Sequence, residues 1–528
     1  HYYLDFLVHA NPIYTYVLVI ISTMLFQFIF LLLITTLTFC TLIRHTKMSK
    51  KTRTNNPPGP PGLPFIGNLL QFDKAKPHIY LFHLAKKYGP LAFLKHGSTP
   101  ILVVSSPRMA KLVLKNHDLA FCSRPPVLGQ QKLAYDGIDM AFSPYNHHYK
   151  AMRKVCVLHL FSPKQVHYFR PVREDEICRM ISKISGLVNL SDVAMSLASN
   201  LICRVAFGRR YDEDEFEKMR FDRLVIEAQA LMVSFYFSDH FPAVGWLDKV
   251  SGLLGRLRKN CKELDVFYEQ LIDEHLNPAR QTPAGRQDII DLMIQLKDQN
   301  TSSLDLSWDH IKALLMNLFV AGTDTVAAAV IWAMTGLMLN PAVMKKAQTE
   351  IRQFIGEKGK VDEDDIKNLP YLKAVVLETL RLYPPAPLLF RTQILDEDCV
   401  VDGYKIKPGT SVIINGWAIG RDPETWQDPE EFQPERFMTS NGGVVDVSDK
   451  TGEFEMIPFG GGRRGCPGMG MGLISAELAL ANLLYSFDWA LPAVAPGSNA
   501  QDVIDTVALP GLTTHKKSPL LLVATTPA

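Results

Sequence analysis

Ten residues near the C-terminal end of the chain, FGGGRRGCPG from Phe459 to Gly468, set one cysteine among five glycines and two arginines. A glycine-rich basic loop can cradle phosphate, but the Lys-Ser/Thr pair that a P-loop requires does not follow. A cysteine nucleophile needs a histidine base, and none stands nearby in the sequence. The third chemistry is a thiolate held as a metal ligand. Glycines let backbone N–H groups approach the sulfur, and the helix-like GMGMGLISAELALANLLYSF beyond Pro467 puts Cys466 at a helix N-terminus. That dipole, with Arg463 and Arg464 close by, is expected to lower the thiol pKa and favour the anion. One thiolate with no second protein ligand in range suits an iron whose in-plane ligands come from a porphyrin.

The remaining cysteines, at 40, 122, 156, 178, 203, 261 and 399, form no CxxC pair, so neither a zinc framework nor a disulfide scaffold is expected. The chain has 528 residues, 47% of them hydrophobic and 21% charged, an ordinary folded composition with a net charge of +2. That charge is uneven. Arg44, Lys47, Lys50, Lys51 and Arg53 face Asp5 alone in the first 53 residues, which leaves the body slightly negative. A near-neutral body argues against a nucleic-acid binder.

From Ile13 to Ile43 no charged residue occurs. As a helix this run spans roughly 45 Å, more than the ~30 Å hydrocarbon core of a bilayer. It is too long for a signal-peptide core, and its basic cluster lies behind it rather than in front. The expectation is a short lumenal N-terminus (1–12), a transmembrane anchor (13–43), a basic and proline-rich hinge (44–64) and a single cytosolic domain (65–528). The sequons at Asn189 and Asn300 should then stay unmodified, and the cysteines reduced.

Within the body, ILVVSS (Ile101 to Ser106) reads as a strand, and Val400 to Asn415 as a β-hairpin. Trp308 to Asn340 reads as one long helix, with Ser307 as N-cap and Pro341 past its end. As a second membrane span it would carry Asp324 near its centre at a cost of about 3 kcal/mol, so a buried soluble helix is expected. The fold class is mainly α with a minor β part.

Three motifs sit on these elements. AGTDT, Ala321 to Thr325, lies at the middle of the long helix. Ala321 and Gly322 remove bulk, so a flat cofactor or its bound gas could lie there, and Asp324 and Thr325 offer an acid and a hydroxyl. A packing notch with a capped polar pair fits the same residues. ETLR, Glu378 to Arg381, is alone no more than an i,i+3 pair, and Glu176–Arg179 and Glu217–Arg220 repeat its spacing as solvated pairs. YNHHYKAMRK, Tyr145 to Lys154, is a basic helix.

Taken with these motifs in this order, FGGGRRGCPG resembles the haem-binding loop of the cytochromes P-450, with Phe459, Gly462, Arg464, Cys466 and Gly468 at every defining position. The resemblance covers roughly residues 57–526 and implies the cytochrome P-450 fold behind one N-terminal transmembrane helix. It implies Cys466 as axial ligand of haem b (iron protoporphyrin IX), with Ala321, Gly322, Phe459 and Gly468 against the macrocycle. Arg153, Arg391 and Arg464 become propionate contacts. Tyr149 and Lys150 replace the Trp-Arg that relatives usually show, and Phe390 stands where relatives often have Pro. Thr325 and Asp324 become the proton-delivery pair, and Glu378, Arg381 and Arg436 (in PERF) a buried charge cluster bracing the loop. Arg463 could face the haem loop or a reductase. Phe319, Val320, Leu388, Leu389 and Leu512 are implied pocket residues.

The activity implied is that of a plant microsomal monooxygenase. One atom of O2 enters a small hydrophobic or aromatic metabolite: a phenolic, coumarin, aldoxime or terpenoid. No GxGxxG nucleotide site accompanies the cysteine loop, so electrons are expected from a separate membrane-bound NADPH-cytochrome P-450 reductase at the endoplasmic reticulum. The alternatives are a haem-thiolate isomerase or dehydratase that does not turn over O2, and an inactive membrane-tethered haem-binding scaffold.

Overall fold

The computed structural model describes residues 12–48, 56–210, 212, 215–280, 287–299, 304–492 and 504–527. The expectations for residues 1–11, for 49–55 of the hinge and for Asn300 lie outside them. Helix α1 (Pro12–Met48) contains the charge-free run. Its segment Ile21–Phe39 has a mean hydropathy of 2.0 and buries nothing against the body, so it is long and apolar enough to cross a membrane.

Helix α2 (Pro77–Tyr88) leads into β1 (Leu91–His96) and β2 (Thr99–Val104), an antiparallel pair. The proline-rich segment lies on β1: the Phe93 N–H donates to the Pro58 carbonyl, and the Asn68 N–H to that of Lys95. The stiff stretch is therefore seated on the body from Pro58, six residues before the expected hinge ends.

A helical series follows: α3 (His147–Val155), α4 (Arg170–Ser182), α5 (Leu190–Phe207), α6 (Glu215–Met232), α7 (Leu253–Leu276), α8 (Trp308–Gly322), α9 (Thr325–Leu339), α10 (Pro341–Ile355) and α11 (Pro370–Leu382). Strands β3 (Leu388–Thr392), β4 (Cys399–Val401), β5 (Tyr404–Ile406) and β6 (Ser411–Asn415) come next. Helix α12 (Met469–Ser486) and the short pair β7 (Ala508–Leu509) and β8 (His515–Lys516) complete the elements that matter for the site.

The expected hairpin is only half right. β4 and β5 pair with each other, but β6 leaves them and lies parallel to β2 in a sheet ordered β1-β2-β6-β3. Ile101–Val104 and Val412–Ile414 are buried throughout, as continuous apolar runs at a sheet centre must be. Asn189 caps α5, its amide oxygen accepting from the Ser191 N–H at 3.2 Å.

The expected long helix divides at Thr323 and Asp324 into α8 and α9. The Thr323 hydroxyl donates to the Phe319 carbonyl and the Thr325 hydroxyl to that of Ala321, each at 2.8 Å, and such side-chain competition bends a helix. Most residues along the pair are buried inside the protein, so it is a core element and not a second span. α9 packs with α5, α11 and α12 in the largest apolar cluster, through Leu201, Val330, Met334, Leu377 and Leu480. α8 packs with α6 and α7 in a second cluster.

Of the two pairs read as solvated ETLR look-alikes, one is not. Glu217 and Arg220 sit half-buried at 3.7 Å. Glu176, however, is buried and holds Arg204 at 2.6 Å and Arg210 at 3.1 Å, while Arg179 bonds Asp175 instead. An i,i+3 spacing says nothing of which face tertiary packing covers. Glu176→Ala removes the buried carboxylate that Arg204 and Arg210 share, although each keeps a second partner in Asp175 and Asp212, and should lower stability by about 1–3 kcal/mol in denaturant unfolding. Glu217→Ala should stay within about 0.5 kcal/mol of the parent.

Candidate active site

The cysteine loop is closed by a hydrogen bond from the Cys466 N–H to the Phe459 carbonyl at 2.8 Å. Gly462 sits at φ 64°, and a Cβ there would fall 2.6 Å from the Leu114 carbonyl oxygen, so no other residue fits. Gly468 is the N-cap of α12, and a Cβ built on it would stand 3.9 Å from the Cys466 sulfur. Cys466 has an exposed side, yet burial pushes its thiol pKa up, with Gly468 and Arg153 pulling the other way. A side chain that is accessible and still surrounded by protein lines a cleft.

The expected help from the neighbouring arginines is absent because both point elsewhere. Arg463 pairs with Asp118 at 2.6 Å and is half-exposed. Arg464 donates to the carbonyls of Cys122 at 2.8 Å and Ser143 at 2.6 Å. Arg153 is the cation that acts on the sulfur. A bound metal ion would outweigh burial, since a coordinating thiol is deprotonated outright.

Beside this loop the protein collects positive charge. Arg391 on β3 is buried, and burial, then Arg124 and Arg464, depress its pKa well below the arginine range. Burial also lowers Arg464, and it pushes Arg124 down to about 10, with Arg464 adding to the effect. Arg124 donates to the carbonyls of Ala141 at 2.9 Å and Phe390 at 2.6 Å. Among the described residues no carboxylate pairs with any of the three. The hydroxyls of Ser143 and Thr392, next to the cluster, are buried without a hydrogen-bond partner. Such a corner fits an anionic ligand such as the carboxylates of a porphyrin. Arg124 escaped the sequence reading, because an Arg-Pro in an irregular loop carries no spacing signal.

Tyr149 braces this corner from α3. Its ring lies under the Arg464 guanidinium at 3.6 Å, and its hydroxyl donates to the Arg463 carbonyl at 2.7 Å. Arg153 lies one turn on, 3.5 Å from that hydroxyl. Lys150 is exposed and stands over the Tyr145 ring, on another face. Leu389 and Arg391 share the face of β3 that meets Gly460, at 3.9 and 4.0 Å from a Cβ built there.

Ala321 is exposed after ten consecutive buried residues, so α8 opens onto an internal cleft at this point. Gly322 does not share it. A Cβ at Gly322 would meet Ile202 of α5 at 2.7 Å, so this glycine admits a neighbouring helix and not a cofactor. Asp324 is buried; its Oδ2 accepts from the Gln229 amide at 2.6 Å and lies 3.3 Å from His515 Nε2. Thr325 is half-buried.

Three implied pocket residues lie elsewhere. Phe319 is 1% exposed and packs on Phe221 and Tyr268 at 5.1 and 5.8 Å. It lies two residues, about 200°, from Ala321 on the helix, and so on the opposite face. Val320 is buried in the same cluster, and Leu388 turns to the face of β3 away from Leu389, against Leu81 and Ile413. Leu389 and Leu512 are half-buried.

Glu378, Arg381 and Arg436 do meet. Arg381 bonds both Glu378 oxygens, at 2.6 and 2.7 Å, and gives its other donors to the carbonyls of Gly420, Pro429 and Glu431. Arg436 reaches Glu378 at 3.2 Å, and Glu378 also accepts from the Gln433 N–H at 2.7 Å. Neither Glu378 nor Arg381 has any side-chain exposure. The pair thus staples the 420–436 segment onto α11. Trp426, stacked on Arg381 at 5.2 Å, carries the support to Glu455, ahead of the cysteine loop.

Glu378→Ala leaves Arg381 buried and unpaired, at a cost of about 3–5 kcal/mol, and should lose haem incorporation by pyridine haemochrome assay, whereas Glu217→Ala should not. Arg124→Met should speed haem loss to apomyoglobin by about tenfold, the equivalent of one charge-assisted contact; an unchanged rate would remove Arg124 from the site.

Comparison with known proteins agrees with this geometry. Residues 57–519 match the family profile described as Cytochrome P450. The chain is 50% identical over 478 residues to 6,7,8-trihydroxycoumarin synthase of Pastinaca sativa, covering 88% of this chain and 92% of that protein. It is 50% identical to 5-OH-xanthotoxin synthase of the same plant, over 89% and 92% of the two chains. Phenylacetaldehyde oxime monooxygenase of Prunus mume is 41% identical over 92% of each. A match over most of the chain, joined to an open thiol in a glycine loop and a buried arginine corner, places this chain in the cytochrome P450 family.

Proposed function

We propose that the protein hydroxylates a coumarin ring, using O2 and two electrons from NADPH delivered by a membrane-bound reductase. The observation that carries the substrate class is the 50% identity, over nine-tenths of their length, to two relatives named for hydroxylated coumarins. The oxime monooxygenase is more distant. An isomerase without O2 turnover and an inactive scaffold are disfavoured, since the relatives are named as synthases and a monooxygenase.

Haem b, when bound, supplies the oxygen activation, and a thiolate ligand favours O–O cleavage. Cys466 would hold its iron. Arg124, Arg153, Arg391 and Arg464 would face its carboxylates, with Tyr149 fixing Arg464 and the Arg463 carbonyl. Ala321 leaves room beside the ring plane. Thr325 and Asp324 hold and pass the protons. Leu389 and Leu512 offer apolar surface to a flat aromatic substrate. The balance is R–H, O2, two electrons and two protons giving R–OH and water.

Helix α1 would anchor the protein in the endoplasmic reticulum membrane, its following basic cluster keeping the catalytic domain cytosolic. The domain limits expected from the sequence, an anchor at 13–43, a hinge at 44–64 and a catalytic domain from 65, belong to this reading.

Microsomes containing the full chain and an NADPH reductase, given hydroxycoumarins, furanocoumarins and phenylacetaldehyde oxime under 18O2, should yield a hydroxycoumarin carrying one labelled oxygen. Labelled product from the oxime with every coumarin inert would move the substrate class. Product without label would overturn monooxygenation.

A further inference from the structure

Asp324 is the buried acid of the proposed proton pair, with 7% of its side chain exposed, so its direct contact with water is small. Two groups reach its Oδ2. The Gln229 amide, 2.6 Å away on α6, can hold the oxygen but cannot pass a proton, because an amide N–H is not acidic at neutral pH. The other is His515 Nε2, at 3.3 Å, on a side chain that is 35% exposed. Its Nε2 stands within ion-pair range of the acid, and about a third of the side chain is exposed.

The placement of His515 is built into the fold. β8 pairs with β7 through His515 and Leu509. Thr514, the preceding residue, donates its N–H to the Pro385 carbonyl at 2.9 Å and accepts from the Trp332 indole of α9 at 3.2 Å. Trp332 is fully buried and stacked on Tyr383 at 4.8 Å. The strand is thus fastened to the helix that starts at Thr325. Of the charged groups around His515, Lys516 on its own strand turns to Asp505 at 3.3 Å, and Lys517 is exposed. At the break between α8 and α9 the facing group is Asp324, and on α6 it is the neutral Gln229.

We propose that His515 is the solvent-side relay that recharges Asp324 during turnover. It acts through Asp324, as a positioning and relay residue and not as a catalytic one, and the inference rests on the proposed role of Asp324 and Thr325. In the step, the Nε2–H bond of the imidazolium breaks and an O–H bond forms on Asp324 Oδ2. The imidazole keeps its Nδ1–H, and a solvent hydronium ion reprotonates Nε2 and leaves as water. No electrons move. The 3.3 Å separation is of the loose kind that tightens when substrate is bound.

The test uses the full-length enzyme with its reductase and whichever ring compound it turns over. In His515→Ala and His515→Gln, the share of NADPH electrons reaching product should fall by about tenfold or more, with the balance released as hydrogen peroxide. Product driven by added hydrogen peroxide, which brings its own oxygen, electrons and protons, should be unchanged, as should the substrate-induced spectral shift. Imidazole added to His515→Gly should restore coupling.

In the resting protein, the 15N resonance of His515 Nε2 should show a hydrogen-bonded donor and lose that signature in Asp324→Asn. Wild-type coupling in His515→Gln would reduce the histidine to a hydrogen-bond donor and overturn the relay, as would an Nε2 signal indifferent to Asp324→Asn. If Asp324→Asn is uncoupled and His515→Ala is not, the relay alone falls. If Asp324→Asn is itself fully coupled, the acid role of Asp324 falls first.

Discussion

Buried Arg391 and Arg464, with half-buried Arg124, bring three guanidinium groups into one corner where no carboxylate of the described chain forms an ion pair with them, Asp139 and Asp118 acting only at longer range. A buried charge is tolerated only when it is paired or well hydrogen-bonded. Here carbonyls of Cys122, Ala141, Ser143 and Phe390 satisfy many of the donors, while Asp139 and Asp118 offset the charge only in part. Much of the surrounding architecture can be understood as the means of keeping this charge next to one open cysteine. In the proposed reading, the porphyrin carboxylates of the family's cofactor are the anion this corner takes.

Holding that corner takes rigid neighbours. Tyr149 works from α3, under Arg464 and onto the loop backbone. Gly462 lets the loop turn against Leu114 where any side chain would collide. The Glu378–Arg381 pair, with all five guanidinium donors used, fixes the long 420–436 segment, which would otherwise have little regular structure to position it. Breaking one member of such a network costs far more than its net worth in stability, because the survivor is left buried and unpaired.

What could be read from the sequence follows from how local each signal is. FGGGRRGCPG carries its chemistry within ten residues, so the cysteine, its glycines and its helix were legible. ETLR gained meaning only from its order relative to AGTDT and PERF, and the same spacing at Glu176 concealed a different buried cluster. Directions in space were not legible. Gly322 looked like room for a cofactor and is room for Ile202; Phe319 looked like pocket lining and is aromatic core. Gln229 and His515, which reach Asp324 from helix α6 and from the last fifteen residues of the chain, are joined only by tertiary packing. The break between α8 and α9 depended on two hydroxyls finding carbonyls, which a hydrophobic period does not reveal.

The central claim is that Cys466 ligates the haem iron as a thiolate. The direct measurement is the difference spectrum of the dithionite-reduced protein with and without carbon monoxide, for the wild type and for Cys466→His. The account predicts a strongly red-shifted Soret band in the wild type that disappears in the variant. A wild type without that band, or a band that survives the substitution, would contradict it.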